Sequence, residues 1–263
     1  MIEAGLGIWS IAIPAILLAV LLLAELIWPR RILILGRYPR WITHALFFLT
    51  NAVVGRLLAF VLVVAIAANW AEQEQFGLFN SIELPWLVEA AMAFIILDFA
   101  VWLQHVAMHR VPILWRMHSV HHSDRDLDAT TALRFHPFEL IVSTLYKSAW
   151  VALLGVPVLV ALVFELWLNA NALFNHSNIA LPARADRWLR KIIVTPDFHL
   201  VHHSTIVREQ RHNYGFALTF WDKLFGTYAA ESSVGRETQN IGLAEFNDSR
   251  PARLGWSMKL PLM

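Results

Sequence analysis

The chain contains 263 residues, of which 57% are hydrophobic and 16% charged, and its mean hydropathy is +0.52. Soluble domains are usually about 45–50% apolar and about 25% charged, so this composition favours a protein that crosses a membrane several times. The formal net charge of +1, without a lysine-rich run, gives no reason to expect nucleic acid as a partner, and the absence of cysteine excludes disulfides, thiolate ligands and iron–sulfur clusters.

Three apolar runs predict membrane-spanning helices at residues 8–28, 41–70 and 85–104. A spanning helix needs about 20 apolar residues, a length that each run reaches. Arginines follow the first run and none precedes it, so we expect an uncleaved span and not a signal peptide. Tryptophans stand near the ends of the three runs, as in an interfacial aromatic belt.

The basic residues predict an orientation. Arg30, Arg31, Arg37 and Arg40 lie between the first two runs, whereas the segment between the second and third has no lysine or arginine. The positive-inside rule therefore places the amino terminus outside and residues 105–136 in the cytoplasm.

Residues 137–175 form a further apolar stretch, broken at Gly155-Val156-Pro157, which predicts a helical hairpin. Each arm would be roughly 27 Å long, so the hairpin either spans the bilayer or is re-entrant. Residues 105–136 and 176–228 would form a cytoplasmic, metal-binding cap, followed by a tail over 229–263 suited to docking on a surface. The predicted fold is a single all-α membrane domain with four to five transmembrane or re-entrant helices and a histidine-rich helical cap.

Two short helices are predicted within the cap. Thr195 is a suitable N-cap with Pro196 at the first helical position, so a helix is expected to carry the histidines that follow. Pro112 is expected to open another helix in the same way.

Clustered histidines carry the chemistry. One pair is four residues apart, and two triplets share the spacing i, i+3, i+4, which places side chains on one helical face. Such imidazoles would lack partners unless they bound metal, and their number favours two ions. The clusters contain no carboxylate, which argues against the glutamate-rich di-iron sites of ferritin-like bundles. The clustered residues are His105 and His109, then His118, His121 and His122, then His199, His202 and His203.

The isolated histidines His44 and His212 are interpreted differently. A lone histidine is more often a hydrogen-bonded structural residue than a metal ligand, so neither is predicted to bind metal.

Further motifs lie between and after the clusters. They are RFHPFE at 134–139, FNHSN at 174–178, HNYG at 212–215 and WDKLFGTY at 221–228. Together with HxxxH and the two HxxHH triplets, in this order over residues 98–228, they resemble the fatty acid hydroxylase/sterol desaturase superfamily of integral membrane di-iron oxygenases.

The resemblance implies that the eight clustered histidines are metal ligands, with His176 of FNHSN as a ninth. Some relatives carry another histidine four positions earlier, where this chain has Ala172. One ion is then short of a protein ligand, a place that water or Asn175 would fill. For His136 three roles stay open: a ligand, a hydrogen-bond donor to a ligand, or a lid residue.

The resemblance also implies the reaction and its requirements. Two iron ions, for which zinc can substitute in purified protein, would use molecular oxygen to attack an unactivated C–H bond of a membrane lipid, such as a fatty acyl chain or a sterol. The product would be an alcohol or a double bond. The chain has no flavin or nicotinamide fingerprint, so electrons would come from an external donor, a ferredoxin or cytochrome-type reductase chain.

Two other classes of function use the same residue types. A membrane-embedded dinuclear zinc hydrolase would polarise water with the same imidazoles. A haem-binding electron carrier needs only two axial histidines, and a metal transporter would place its ligands near the middle of the bilayer, so adjacent histidines at the membrane edge fit both poorly.

Three polar residues are candidates for supporting the metal ligands. Asp98 lies inside the third apolar run, seven residues before His105, and must have a partner there. It would either accept an imidazole N–H, the favoured alternative, or pair with Arg56. Asn213 and Asp222 match positions of the family, and Asp222 is expected to buttress the cap helices.

Overall fold

A computed structural model gives the fold and describes residues 2–57, 63–235 and 238–263. All regular secondary structure in these ranges is helical, and no strand occurs within them. The prediction of an all-α chain is therefore confirmed for the described residues.

Four helices precede the cap: α1 (Ile2–Ile27), α2 (Arg37–Leu57), α3 (Val63–Gln73) and α4 (Trp86–Arg110). The run predicted as one span at 41–70 falls on α2 and α3, and its residues 58–62 lie outside the described residues. Helix α4 is continuous from the third apolar run into HxxxH, as predicted. At 1.5 Å per residue it is about 37 Å long, so its carboxyl-terminal turns extend beyond a hydrocarbon core of about 30 Å.

Two of the described helices are long and apolar enough to cross a membrane, namely Trp86–Arg110 and Val158–His176, and a shorter apolar helix covers Ala12–Ile27. The number of spans and the orientation of the chain stay predictions.

The hairpin consists of α6 (Pro137–Leu154) and α7 (Val158–His176). Gly155 ends α6 in the left-handed region at φ 67°, where a side chain is unfavourable. A Cβ atom there would lie 2.6 Å from the side-chain amide of Asn80, so the turn also needs the space that glycine leaves. A buried apolar cluster ties both arms to α3 and α4; it includes Ala68, Leu97, Val101, Val151, Val160 and Phe164.

Short helices follow α4 and α7 in the chain. They are α5 (Pro112–His122), α8 (Ala183–Leu189), α9 (Pro196–His202), α10 (Val207–Gln210), α11 (Phe220–Leu224) and α12 (Leu254–Ser257), with a 3₁₀ helix at Ala129–Leu133. Both predicted helix starts are confirmed. Pro112 opens α5, and the Thr195 hydroxyl accepts the Phe198 N–H at 3.4 Å at the start of α9.

The carboxyl-terminal segment docks onto the protein itself. Leu260 is buried in an apolar cluster with Val120 and Phe47, and the Ser257 hydroxyl accepts a hydrogen bond from Arg134 at 2.8 Å. Described residues of the tail therefore complete the cap beside α5.

Candidate metal centre

The structure brings all nine predicted ligands together, and all nine are buried. They form two groups, in each of which one candidate ligand atom per residue lies within 4.8 Å of the others. The five-histidine group contains His105, His109, His118, His122 and His202. The four-histidine group contains His121, His176, His199 and His203. Their role as ligands stays a prediction, although their placement is that of two metal sites.

Each HxxHH triplet contributes to both groups. In α5, His118 and His122 belong to the five-histidine group and His121 to the other. In the second triplet, which spans α9 and its C-cap residue His203, His199 and His203 belong to the four-histidine group and His202 to the other. Residues four apart differ by about 40° around a helix, whereas adjacent residues differ by about 100°. The i, i+4 pair therefore shares one site, and the third histidine reaches the neighbouring one.

In the four-histidine group, the ring nitrogens converge. The Nε2 atoms of His121 and His176 are 2.9 Å apart, those of His176 and His199 are 3.0 Å apart, and those of His199 and His203 are 3.1 Å apart. Two ligands of one metal, each about 2.1 Å from it, would lie about 3.0–3.4 Å apart. Such spacing among four imidazoles suits a shared cation, because each imidazole pair can share only one proton.

The five-histidine group leaves buried nitrogens without partners. The Nε2 atoms of His105 and His118 are 3.2 Å apart, while those of His109, His122 and His202 have no hydrogen-bond partner. Unsatisfied buried polar atoms are costly, and a metal ion would satisfy all of them at once. The donor set of both groups therefore fits bound metal.

Backbone carbonyls orient several of the rings. The Nδ1 atoms of His105, His176 and His202 lie 2.7, 2.7 and 2.8 Å from the carbonyls of Tyr214, Ala172 and His212, respectively. An Nδ1–H that donates to a carbonyl leaves the Nε2 lone pair free for a metal.

Burial keeps these imidazoles neutral. It lowers the pKa of His202 to about 3, although the His212 carbonyl acts in the opposite direction. Burial, followed by neighbouring histidines, holds the pKa of His121, His122, His199 and His203 well below the ordinary value. Since only neutral imidazole binds metal, the groups are ready to bind at neutral pH without releasing protons.

Sequence reasoning missed Glu139, which supplies a carboxylate to the site. Its Oε1 accepts a hydrogen bond from His118 Nδ1 at 2.6 Å, and its Oε2 is buried without a partner. The histidine clusters themselves contain no carboxylate, but this one orients a predicted ligand. The signal available in the sequence was an acidic residue in the first turn of a mostly apolar arm, directly after RFHPF.

We expect Glu139→Gln to weaken metal binding about 10- to 100-fold, because a neutral amide holds the His118 ring less firmly than a carboxylate does. Competition with a chelator of known affinity measures this change. Glu83→Gln, at an exposed position before α4, is the matched control and should bind metal like the unmodified protein. Equal affinities for both variants would contradict a role of Glu139 in holding His118.

Neither predicted partner of Asp98 is found. Its Oδ2 accepts a hydrogen bond from the Trp221 indole at 2.8 Å, and it makes neither an imidazole contact nor an ion pair with Arg56 among the described residues. Trp221 lies 123 positions later on α11, so Asp98 fastens that helix to α4. The prediction that Asp98 orients a ligand or pairs with Arg56 is corrected accordingly.

Asp98→Asn should therefore leave the metal content unchanged, since an asparagine oxygen can still accept the Trp221 N–H. Elemental analysis of the purified variant measures this directly. A fall in metal content comparable to that of Glu139→Gln would restore a role of Asp98 at the ligands.

Asp222 buttresses the cap, as expected. Its carboxylate accepts hydrogen bonds from the backbone N–H groups of Tyr214 and Gly215 at 2.9 and 2.6 Å, and from the Trp102 indole at 3.2 Å. Because the Tyr214 carbonyl in turn contacts His105, Asp222 acts on the site through one peptide unit.

Asn213 fastens the segment after α10 to α9. Its amide donates to the carbonyls of Phe198 and Ala229, each at 2.9 Å, and its backbone adopts φ 57°, which asparagine tolerates better than most residues. Neither Asn213 nor Asp222 contacts a clustered imidazole through its side chain in the hydrogen bonds of the described residues.

His136 belongs to neither group. Its Nδ1 accepts the Phe138 N–H at 3.3 Å as the N-cap of α6, and its Nε2 lies 3.3 Å from the carbonyl of Met258. Asn175 donates to the Phe216 carbonyl at 2.9 Å, while its Oδ1 is buried without a partner. Its use as a replacement ligand stays a prediction.

The isolated histidines are structural, as predicted. The Nδ1 of His212 lies 2.8 Å from the Arg208 carbonyl. His44 lies 2.7 Å from the Thr130 hydroxyl and 3.1 Å from the Asp124 carboxylate.

A second feature that sequence reasoning missed is the role of Arg40, which was counted only as a basic residue near a span. It is fully buried and bonds to both oxygens of Asp124, at 2.7 and 2.8 Å, and to Asp128 at 2.5 Å. Burial opposes ionisation of Asp124, but Arg40 and His44 more than offset it and hold the pKa of Asp124 well below its ordinary value. Arg40 therefore holds in place the loop at residues 124–128, which follows the first HxxHH.

A cavity of about 180 Å³ lies between α4, α6 and α7 and reaches the five-histidine group at His105 and His118. Ala172, where some relatives have a histidine, also lines it. Most of its wall is apolar and includes Val101, Met108, Phe135, Leu140, Leu168 and Phe216. An apolar chain could thus reach the predicted ligands from between the membrane-type helices.

Comparisons with known proteins agree with the motifs. The family model for fatty acid hydroxylase matches residues 90–227, just over half of the chain. Human alkylglycerol monooxygenase is 30% identical over 206 residues, covering 75% of this chain and 43% of its own. An ornithine lipid hydroxylase of Rhizobium tropici is 32% identical over 152 residues, covering 55% of this chain and 43% of its own.

A third relative, the Delta(7)-sterol-C5(6)-desaturase of Nicotiana tabacum, is 29% identical over 154 residues, covering 55% of this chain and 51% of its own. No solved structure shows significant similarity to the chain. The chain spans less than half the length of the first two relatives, but the family match covers the helices that carry all nine histidines. The chain therefore belongs to the fatty acid hydroxylase family, within the fatty acid hydroxylase/sterol desaturase superfamily.

Proposed function

We propose that this protein is an oxygen-dependent lipid hydroxylase or desaturase with two iron ions, one in each histidine group. The observation that carries the proposal is the convergence of nine buried imidazoles into two adjacent groups beside an apolar cavity. When bound, a reduced pair of iron ions supplies the activation of molecular oxygen for attack on an unactivated C–H bond.

The residues of the chain have separate tasks in this reaction. The clustered imidazoles hold the ions, and Glu139 fixes the orientation of His118. The apolar cavity holds the lipid chain beside His105 and His118 and limits the access of water. Hydroxylation consumes one oxygen molecule, two electrons and two protons, and yields one alcohol and one water. The electrons would come from an external ferredoxin or cytochrome-type donor.

A lipid substrate is supported by the relatives and by the helices. The names of the human and bacterial relatives describe a monooxygenase of alkylglycerols and a hydroxylase of ornithine lipids. The cavity lies between α4 and α7, the two helices with the length and composition of membrane spans. We place the chain in the membrane with the amino terminus outside and the metal centre on the cytoplasmic side, where the tail of a lipid can enter from the bilayer.

Metal analysis and oxygen uptake test this function. Protein purified without oxygen should contain about two iron ions per chain, and it should consume oxygen after reduction. In parallel, mass spectrometry should compare lipids from cells that produce the unmodified protein or His121→Ala. An oxidised or desaturated lipid is expected only with the former.

The alternative of a zinc hydrolase predicts different results. Active protein that contains only zinc and consumes no oxygen would overturn the oxygenase proposal. A lipid cleaved by water, with no oxygen requirement, would establish the hydrolase instead.

A further inference from the structure

An ion pair lies in the apolar hairpin, where charges are unfavourable. Lys147 Nζ is 2.7 Å from both carboxylate oxygens of Glu165, which joins the middle of α6 to α7. Apart from Glu139, these are the only Asp, Glu, Lys or Arg residues in the two arms. Ionisable residues within membrane segments are rare, and they generally mark a binding site or pathway.

Support of the fold alone does not explain this pair. Apolar side chains of similar size usually stabilise a buried position as well as an ion pair does, or better. The two side chains are also only partly buried, with exposed fractions of 16% for Lys147 and 25% for Glu165. Lys147 has three N–H donors, of which the two contacts with Glu165 occupy two.

The cavity of about 180 Å³ extends from Lys147 to the metal centre. Lys147 lines it together with Ser143, Glu139 and His118. Glu139, Ser143 and Lys147 are spaced four residues apart and thus form a polar stripe along one face of α6. Eight residues separate its ends, so Lys147 lies about 12 Å along the helix from the carboxylate that contacts His118.

The charge of the pair selects the kind of group that fits. Glu165 neutralises Lys147, so the pair has no net charge with which to attract an anionic or a cationic group. A neutral group with a hydrogen-bond acceptor can accept the remaining Lys147 N–H without a counter-charge. The apolar wall beside the stripe suits the hydrocarbon chain attached to that group.

We propose that Lys147, neutralised by Glu165, donates a hydrogen bond to a neutral acceptor group of the substrate, such as a hydroxyl, ether or amide, and thereby sets which carbon of the lipid chain lies beside the histidines. This inference rests on the proposed lipid oxidation but concerns recognition. It makes the pair a determinant of substrate class and of the position of attack.

The absence of cysteine allows a direct binding test. Ser143→Cys introduces a single thiol into the cavity wall of the full-length, iron-loaded protein in lipid nanodiscs. Its alkylation by N-ethylmaleimide is followed with hexadecan-1-ol, palmitate, hexadecyltrimethylammonium or hexadec-1-ene present. Hexadecan-1-ol should protect the thiol at the lowest concentration. In a protein that combines Ser143→Cys with Lys147→Met and Glu165→Met, the concentration of hexadecan-1-ol that gives half protection should rise about 10- to 100-fold. It should then equal the half-protecting concentration of hexadec-1-ene.

Single substitutions provide a second measurement that does not depend on the double variant folding. Glu165→Gln leaves the ammonium unneutralised, so palmitate should become the compound that protects the thiol at the lowest concentration. Lys147→Gln leaves the carboxylate unneutralised, so hexadecyltrimethylammonium should then protect at the lowest concentration. As a matched control, Ala244→Cys places a thiol in a separate cavity beside His109 and Trp115, where none of the four compounds should protect it.

Equal protection by all four compounds before substitution would overturn the inference, and so would an unchanged preference for hexadecan-1-ol after the charges are removed. Protection at Ala244→Cys equal to that at Ser143→Cys would also overturn it. The labelling requires no turnover. Failure of the proposed substrate recognition is therefore distinguishable from failure of the proposed lipid oxidation, which oxygen uptake reports separately.

Discussion

His199→Ala is expected to remove one bound metal ion and leave the other. The four-histidine group would keep three imidazoles, while the five-histidine group would be intact. A structural site binds its metal with roughly 10–16 kcal/mol, so one ligand in four contributes about 3–4 kcal/mol, or a loss of about 10²- to 10³-fold in affinity. Elemental analysis should show the metal content falling from about two ions per chain to about one.

Two further variants control this experiment. His109→Ala leaves four imidazoles in its group and should lose less metal than His199→Ala. His212→Ala removes a ring outside both groups and should retain both ions, because the carbonyl that orients His202 belongs to the backbone. Loss of both ions from His199→Ala would show that the groups do not bind independently, and full retention would exclude His199 as a ligand.

Arg40→Met should destabilise the protein by about 3–5 kcal/mol. The substitution leaves the buried Asp124 and Asp128 carboxylates without their cation, and removing one partner of a buried pair carries a cost of this size. Denaturant or thermal unfolding of the metal-free protein in detergent measures the loss, and metal affinity should fall because the loop after His122 loosens.

Arg56→Met is the matched control on the same helix, since Arg56 is exposed and has no ion pair among the described residues. Its effect should stay within about 0.5 kcal/mol. Similar stability of the two variants would contradict the role assigned to the Arg40 network.

Features that depend on neighbours in the chain could be predicted from the sequence. Helical spacing identified eight of the nine histidines, because a helix determines which residues share a face, whereas His176 followed from the resemblance of FNHSN to the family. The starts of α5 and α9 followed from Pro112 and Thr195, because caps act within one turn. The expectation that Asp222 buttresses the cap rested on matching family positions, and its hydrogen bonds agree with it.

Contacts between distant segments could not be predicted in this way. An imidazole and Arg56 were the predicted partners of Asp98, yet Asp98 bonds to Trp221, and only the position of α11 beside α4 decides this. Arg40 had the sequence context of a basic residue near a membrane edge, yet it is buried against Asp124, 84 positions away. In both cases the partner of a charged side chain depends on how helices pack.

By itself, the sequence determined an all-helical chain of membrane-type composition, the histidines of the site and the family to which it belongs. Only the tertiary structure decided how those histidines divide into groups of five and four, that Glu139 contacts His118, and that Lys147, paired with Glu165, lines the cavity beside His118. The physical reason is that helical periodicity constrains the direction of a side chain over a few residues. The partner it meets there depends on packing between segments tens to hundreds of residues apart.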